Sequence, residues 1–347
     1  MSRDAAVWFD ESRLDDEAAL AGIDPTLRSL AEAGSRVRRE AQVALDLAPE
    51  KVHEARSRPR PRAVVVAGTG SRLLRDVLEG SCPVPFVAWP GPGLPGWVGS
   101  LDLVVMLAPA GSDVPAAAAV AEAVRRGADV LVACPPDSLV AEHAVGRDVL
   151  VLPVGTGDPL AVAVVVLDLL ASAGLGRAAD AAHVAAALDD VAVRCSPHRD
   201  IAANPAKEVA LGLADAQPVL WGGSALAARA ARRVAEELRR VTGRAVLADD
   251  AEEVLPVVEA ARPRDVFADP FTDGGAVARP TLVVLDDGDE AAVVREQAGR
   301  LRAAAAAHDV RVVEIGSDAR SDVARHASLI LQGRYVAAYL GLGLVPE

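Results

Sequence analysis

The run Ala63-Val64-Val65-Val66-Ala67, followed at once by Gly68-Thr69-Gly70-Ser71, constrains this chain more than any other stretch. A continuous apolar pentapeptide without alternation is what a parallel strand buried on both faces requires. The glycines let the backbone turn sharply, and Ser71 is placed to cap a helix over Arg72 to Leu78. The plan repeats at Leu103 to Leu107, which ends in Ala108-Pro109-Ala110-Gly111-Ser112-Asp113 before a helix opening near Pro115. Small-residue loops at the C-terminal ends of parallel strands, each feeding a helix N-terminus, predict an anion site. Free backbone N–H groups and the helix dipole both favour phosphate there.

The pattern sustains an α/β fold. Strands are predicted at 63–67, 85–88, 102–107, 129–133 and 149–152, with helices between them and a closing helix from Asp158 to Ala173. Right-handed crossovers turn these into a parallel sheet of about five strands covered on both faces. Residues 1–55 read as a charged helical segment, with Asp24-Pro25 opening a helix that carries Leu27, Leu30, Val37 and Leu45. The connector Arg56 to Arg62, rich in arginine and proline, reads as a solvated linker. A first domain then spans 56–176 and a helical connection 177–215. A second domain over 216–347 starts again with the strand Gln217 to Trp221, the turn Gly222-Gly223-Ser224 and a helix from Ala225 to Val241. Further strands are predicted at 245–247, 281–285 and 310–315, alternating with helices 290–308 and 322–342.

Charge and cysteine content exclude several classes of function. A formal charge of −13 is the wrong sign for a general nucleic-acid binder or an anionic membrane surface. Cys82, Cys134 and Cys195 are far apart, odd in number and without zinc spacing, which predicts buried thiols in a reducing compartment and no metal site. The longest apolar run, Leu160 to Leu170, is too short to span a bilayer and contains Asp168. The N-terminus lacks an apolar signal core. A cytoplasmic protein is the expectation.

Several segments together carry a resemblance. Ile23-Asp24-Pro25 in the opening helix, Gly68-Thr69-Gly70-Ser71, and Leu103 to Ser112 with its helix ending at Arg126-Gly127-Ala128 stand in the first half. Asn204-Pro205-Ala206-Lys207, Pro218 to Ser224, and Gly333-Arg334-Tyr335 through Leu340 stand in the second. In order and spacing the chain resembles the double SIS (sugar isomerase) fold, and within it the bifunctional phosphoglucose/phosphomannose isomerase family. The resemblance implies two SIS-type domains with a cleft between them, a homodimer, a sugar phosphate as small-molecule partner and no cofactor. It also implies a phosphate-binding set of Gly68, Gly70, Ser71, Gly111, Ser112, Asn204, Lys207, Gly222, Gly223 and Ser224. For most of these residues turn and cap duty is an equally open reading. A dinucleotide fingerprint is the weaker alternative for Gly68 to Ser71, because the helix continues Arg72-Leu73-Leu74 without a third glycine.

Aldose–ketose isomerisation through an enediol needs a phosphate grip, a carboxylate base and an acid that opens the ring. Here the sequence departs from the family. Its serine-rich loop, Ser-x-Ser-Gly-Asn-Thr, is replaced by Ala108 to Asp113, so hydroxyl donors become methyl groups and Asp113 brings a negative charge to the phosphate position. At roughly 4 Å two like charges repel by about 1 kcal/mol in water and more at lower dielectric. No histidine lies between His198 and His308. Glu252 and Glu253, near the place for a base, read as a solvated helix face. No lysine follows Lys207, although the family uses one near its C-terminus. Lys51 and Lys207 are the only lysines among 36 basic residues; the plain reading of Lys207 is a helix-surface ammonium, and of His198 a polar loop residue. The expectation is a sugar-phosphate isomerase frame with weak or missing isomerase chemistry. It leaves open either an enzyme using other residues in the same cleft or a sugar-phosphate or nucleotide-sugar binding protein that regulates or scaffolds mannose metabolism.

Overall fold

The computed structural model describes residues 7–46, 57–261 and 279–346. The chain divides into two compact units, one of residues 33–187 with 321–324, the other of residues 1–32, 188–320 and 325–347. The predicted N-terminal helical segment is a short strand β1 (Val7–Phe9) and three helices, α1 (Glu17–Gly22), α2 (Asp24–Ala31) and α3 (Ala33–Leu45). Leu27, Leu30 and Val37 are buried as their spacing predicts, but Leu45 is 77% exposed in the last turn of α3. Residues 47–55 of that segment lie outside the described residues.

The 33–187 unit is built on β2 (Val64–Ala67), α4 (Ser71–Leu78), β3 (Phe86–Trp89), β4 (Leu103–Leu107), α5 (Val114–Arg125), β5 (Asp129–Cys134), α6 (Leu139–His143), β6 (Val149–Pro153) and α7 (Pro159–Ser172). Its five strands are all parallel, in the order β3-β2-β4-β5-β6. One face of the sheet presents Val65, Val104, Met106, Val130 and Val132 to Ala116, Val120 and Ala123 of α5. The other face is covered by α7, whose Leu160 to Leu167 are buried without interruption. A helix apolar all round belongs inside a core, and α7 packs on β4 with α3 and α4 against it. Polar contacts hold α3 in place. The buried Glu40 carboxylate accepts hydrogen bonds from the N–H groups of Gly155 (3.1 Å) and Thr156 (2.6 Å), and Arg36 pairs with Asp158 at 2.6 Å. Asp158 in turn caps α7.

The connector ahead of β2 is not a solvated linker where it is described. Arg58 pairs with Asp129 at 2.8 Å, and Arg62 holds the fully buried Asp102 through two contacts of 2.9 and 2.6 Å. The arginines are stitched to carboxylates at the starts of β4 and β5, which otherwise would be desolvated without a counter-charge.

The other unit continues with α8 (Ala181–Arg194), which reaches it from residue 188, then α9 (Pro205–Gly212), β7 (Ala216–Gly222), α10 (Ala225–Thr242), β8 (Leu247–Ala248), α11 (Ala251–Glu259), β9 (Arg279–Asp286), α12 (Ala292–Ala307), β10 (Arg311–Gly316), α13 (Asp322–Gly343) and β11 (Leu344–Pro346). Four parallel strands lie in the order β10-β9-β7-β8. Val219, Trp221, Leu282 and Val284 meet Val254, Val258, Leu301 and Ala305 on one face. Against the other, α10 buries Ala227, Ala230, Val234 and Leu238. The chain ends are joined: β1 pairs antiparallel with β11, Trp8 opposite Val345. Among the described residues no helix is long and apolar enough to cross a membrane.

Candidate functional site

In an open α/β sheet, ligands bind outside the carboxyl ends of the strands where the strand order reverses. In the 33–187 unit β2 crosses to β3 on one side, and β4 leads to β5 and β6 on the other. The reversal therefore lies between the ends of β2 and β4. Gly68 to Ser71 and Gly111 to Asp113 stand at those ends. The first loop is folded down onto β4. Gly68 sits at φ +81°, and a Cβ on Gly70 would lie 2.8 Å from Cβ of Leu107.

Ser71 does not cap the helix as the sequence suggests. Its N–H bonds to the Gly68 carbonyl at 3.1 Å, which makes it the first helical residue, with Gly70 at the cap position. The hydroxyl is turned inward, fully buried, and has no hydrogen-bond partner among the described residues. In the second loop Gly111 (φ +70°) is pressed against Ser138, whose Cβ would stand 2.4 Å from an added Cβ. Ser112 is exposed. Asp113 caps α5, its carboxylate accepting from Ala116 N–H at 3.2 Å. One of the N–H groups that would face a phosphate is thus already satisfied by the chain's own anion.

The second sheet repeats the geometry. Here β7 leads to β8 on one side and β9 to β10 on the other, so the reversal lies between β7 and β9. Gly222 ends β7, and α10 lies directly on it: an added Cβ would sit 2.2 Å from the carbonyl carbon of Ala227. Gly223 is hemmed in by Val294 and Trp221. Ser224 caps α10 as predicted, its Oγ accepting from Ala227 N–H at 2.9 Å. The same hydroxyl donates to Asp287 Oδ2 at 2.6 Å, a short charge-assisted bond between two buried side chains. Asp287, one residue past β9, is the group that the sequence reading missed. The run Asp286-Asp287-Gly288 directly after an apolar strand was the available signal.

Beside Ser224 lies a cavity of about 300 Å³, lined among others by Trp221, Gly223, Asp250, Glu252 and Gln297. Asp250 opens α11 without a side-chain cap bond and stands 3.8 Å from Arg232. Glu252 and Glu253 are exposed on α11, as expected. Among the described residues lining the cavity there is no histidine or lysine.

Asn204 and Lys207 sit elsewhere in this unit. Asn204 is buried and caps α9, accepting from the N–H groups of Ala206 (3.0 Å) and Lys207 (3.2 Å), while its amide donates to the Ser196 carbonyl at 3.0 Å. Lys207 is not a surface ammonium. It is fully buried, and Nζ donates to Asp15 Oδ1 (2.7 Å) and to the carbonyls of Pro197 (3.0 Å) and Arg199 (2.7 Å). It also lies 5.5 Å from the ring centroid of Tyr339, whose hydroxyl donates to the Cys195 carbonyl at 2.7 Å. An ammonium has three donors, and all three are spent. Together Tyr339, Asn204 and Lys207 bind the carbonyls of the 195–199 loop, which leaves His198 exposed on its surface. Among the described residues no group of three or more His, Cys, Asp or Glu side chains is placed to hold a metal ion.

Residues 202–344 match the sequence profile of the bacterial phospho-glucose isomerase C-terminal SIS domain family. No curated protein sequence matches the chain. Among solved structures the fold is similar to the C-terminal domain of glucosamine-fructose-6-phosphate aminotransferase from Francisella tularensis, with a TM-score of 0.63 at 11% identity, covering 92% of this chain and 97% of that one. It is similar also to tagatose-6-phosphate ketose/aldose isomerase from Escherichia coli, with a TM-score of 0.57 at 15% identity over 97% and 92% of the two chains. A glucose-6-phosphate isomerase like protein from Thermus thermophilus aligns with a TM-score of 0.51 at 19% identity, over 95% and 92%. The chain thus has the fold of the SIS-domain phosphosugar isomerases, and its second half carries the profile of their bacterial phospho-glucose isomerase C-terminal domain.

Proposed function

We propose that this is a SIS-fold protein that binds a carbohydrate derivative at the end of β7 and has weak or lost isomerase activity. In this reading residues 56–176 form a first SIS-type domain and residues 216–347 a second. The observation that carries the proposal is the same at both strand reversals. Where a phosphate would meet a helix N-terminus and a hydroxyl, the chain supplies its own carboxylate, Asp113 on α5 and Asp287 on Ser224. A dianionic phosphate approaching Ser224 must displace or face Asp287, at a cost that grows as water is excluded.

Gly222, Gly223 and Ser224 form the wall of the proposed site, and Asp250, Glu252 and Gln297 supply polar groups for sugar hydroxyls. Asn204 and Lys207 lie outside this cavity and fix the 195–199 loop instead. Absence of histidine and lysine from the cavity favours binding without proton transfer, since a carboxylate alone lacks the acid partner that ring opening needs. Two carboxylates in one cavity keep a second reading in view, an enzyme that uses Asp250 or Glu252 as base on an open-chain substrate.

Thermal unfolding of the purified protein with fructose 6-phosphate, glucose 6-phosphate, mannose 6-phosphate and the three unphosphorylated sugars tests the binding claim. A ligand selective for the native state raises the melting temperature in a concentration-dependent way. A rise with at least one of the six supports the reading; no rise with any of them refutes it.

A further inference from the structure

Asp287 is a buried carboxylate, and among the described residues no cation pairs with it; its side chain receives the 2.6 Å hydrogen bond from the Ser224 hydroxyl. Capping α10 does not require this carboxylate. A cap uses a lone pair of Oγ, which here accepts from Ala227 N–H at 2.9 Å. Burying a carboxylate to receive the hydroxyl proton costs desolvation, offset in part by the amino end of α10. The pair therefore does more than end a helix.

Its geometry meets the requirements of a nucleophile and its base. The 2.6 Å separation is within reach of proton transfer. Ala227 N–H occupies one Oγ lone pair and stabilises negative charge on the oxygen, and the second lone pair is left for attack. Ser224 lines the cavity of about 300 Å³, whereas Asp287 is not among its described lining, so the base is not in competition for the substrate. Gly222, Gly223 and Ala225, the chain neighbours of the serine, also line the cavity and are small. In the first turn of α10 the N–H groups of Ala225 and Leu226 have no acceptor inside the helix, and they are the donors that would hold an oxyanion beside Oγ. Asp250 and Glu252 line the cavity, with Arg232 3.8 Å from Asp250. This balance does not favour an anionic substrate.

We propose that Ser224 and Asp287 form a dyad for acyl transfer that hydrolyses small uncharged carboxylic esters. Oγ attacks the acyl carbon while its proton passes to Asp287. The bond from that carbon to the alcohol oxygen then breaks, and Asp287 returns the proton to the departing alcohol. Water attacks the acyl-serine and gives a proton to Asp287, which passes it to Oγ as the acid leaves. The dyad uses the cavity assigned above to a carbohydrate but does not rest on that reading. No sugar ring opens, so the weak isomerase chemistry is untouched.

Hydrolysis of 4-nitrophenyl acetate by the full chain, together with peptide mass spectrometry after treatment with a fluorophosphonate, tests the proposal. The wild type should release nitrophenolate faster than buffer and carry the phosphonyl label on Ser224. Ser224→Gly keeps an acceptable N-cap, and Asp287→Asn keeps an acceptor but not a base. Each should lower the rate by about 100-fold or more, with circular dichroism confirming the fold. A smaller loss in either folded variant, a wild-type rate equal to that of buffer, or a Ser224 without label would each overturn the dyad. The label is read on the wild-type chain, so it decides the matter even where a substitution prevents folding.

Discussion

Replacing Lys207 with methionine removes an ammonium that has no contact with solvent while keeping the length and apolar stem of the side chain. Three acceptors lose their donor: Asp15 and the carbonyls of Pro197 and Arg199. Breaking a buried ion pair by removing one partner costs about 3–5 kcal/mol when the other charge stays buried. The Asp15 side chain is 43% exposed and rehydrates, so that part falls toward the low end. Each carbonyl left without a donor adds about 1 kcal/mol, and methionine leaves little void because it reaches as far as the lysine stem. The net expectation is a loss of about 2–4 kcal/mol. A surface ammonium would cost less than about 0.5 kcal/mol. Urea denaturation followed by tryptophan fluorescence reads the difference, because Trp221 is buried in the unit that holds Lys207. Asp15→Asn, which keeps an oxygen acceptor for Nζ, should cost less than Lys207→Met. A Lys207→Met midpoint within error of the wild type would refute the structural role given to this lysine.

The carboxylate at the second strand reversal gives a complementary test. Asp287→Asn keeps an acceptor for Ser224 but removes the charge, and should tighten sugar-phosphate binding by about tenfold in titration calorimetry, the gain expected from removing a repulsion of about 1–2 kcal/mol. Unchanged affinity would remove Asp287 from the argument. Gly222→Ala places a methyl group against the backbone of α10 and should lower stability by more than about 2 kcal/mol, measured by the same denaturation, since backbone cannot give way as a side chain can. Burial pushes the Cys195 thiol up to about 12 and raises that of Cys134 as well. The thiolate is the reactive form, so at pH 8 a thiol-reactive chromophore should modify Cys82 in the native protein, and all three cysteines only after denaturation.

Most of the architecture was legible from the sequence because its signals are local. Unbroken apolar runs such as Ala63 to Ala67 and Leu103 to Leu107 admit little besides doubly buried parallel strands, and β2 and β4 occupy them to within a residue. Ser224 as a cap and Asn204 at the head of α9 were equally readable, since a cap acts on residues two or three positions away. What was hidden depends on contacts distant in sequence. The pairing of β1 with β11 joins residues more than 300 positions apart and involves strands too short for a periodic pattern. Lys207 reads as a surface charge until Asp15 and the 195–199 carbonyls are brought to it. Arg58 and Arg62 read as linker until Asp129 and Asp102 meet them. Ser71 fails as a cap because the helix starts one residue earlier than predicted, with Gly70 at the cap position. The proposed site was only half visible: the glycine loops at the strand reversals could be read from the sequence, whereas Asp287 on Ser224 shows only once β9 lies beside β7.

The proposed function joins a phosphosugar isomerase fold to a cavity whose described lining has no histidine or lysine. Steady-state turnover of the purified wild-type chain, with fructose 6-phosphate, glucose 6-phosphate and mannose 6-phosphate interconversion coupled to a dehydrogenase readout, addresses it most directly. Rates far below about 1 per second, down to the level of a parallel sample of denatured protein, are expected. Turnover at about 1 per second or faster, the low end of typical enzyme rates, with any of the three substrates would contradict it.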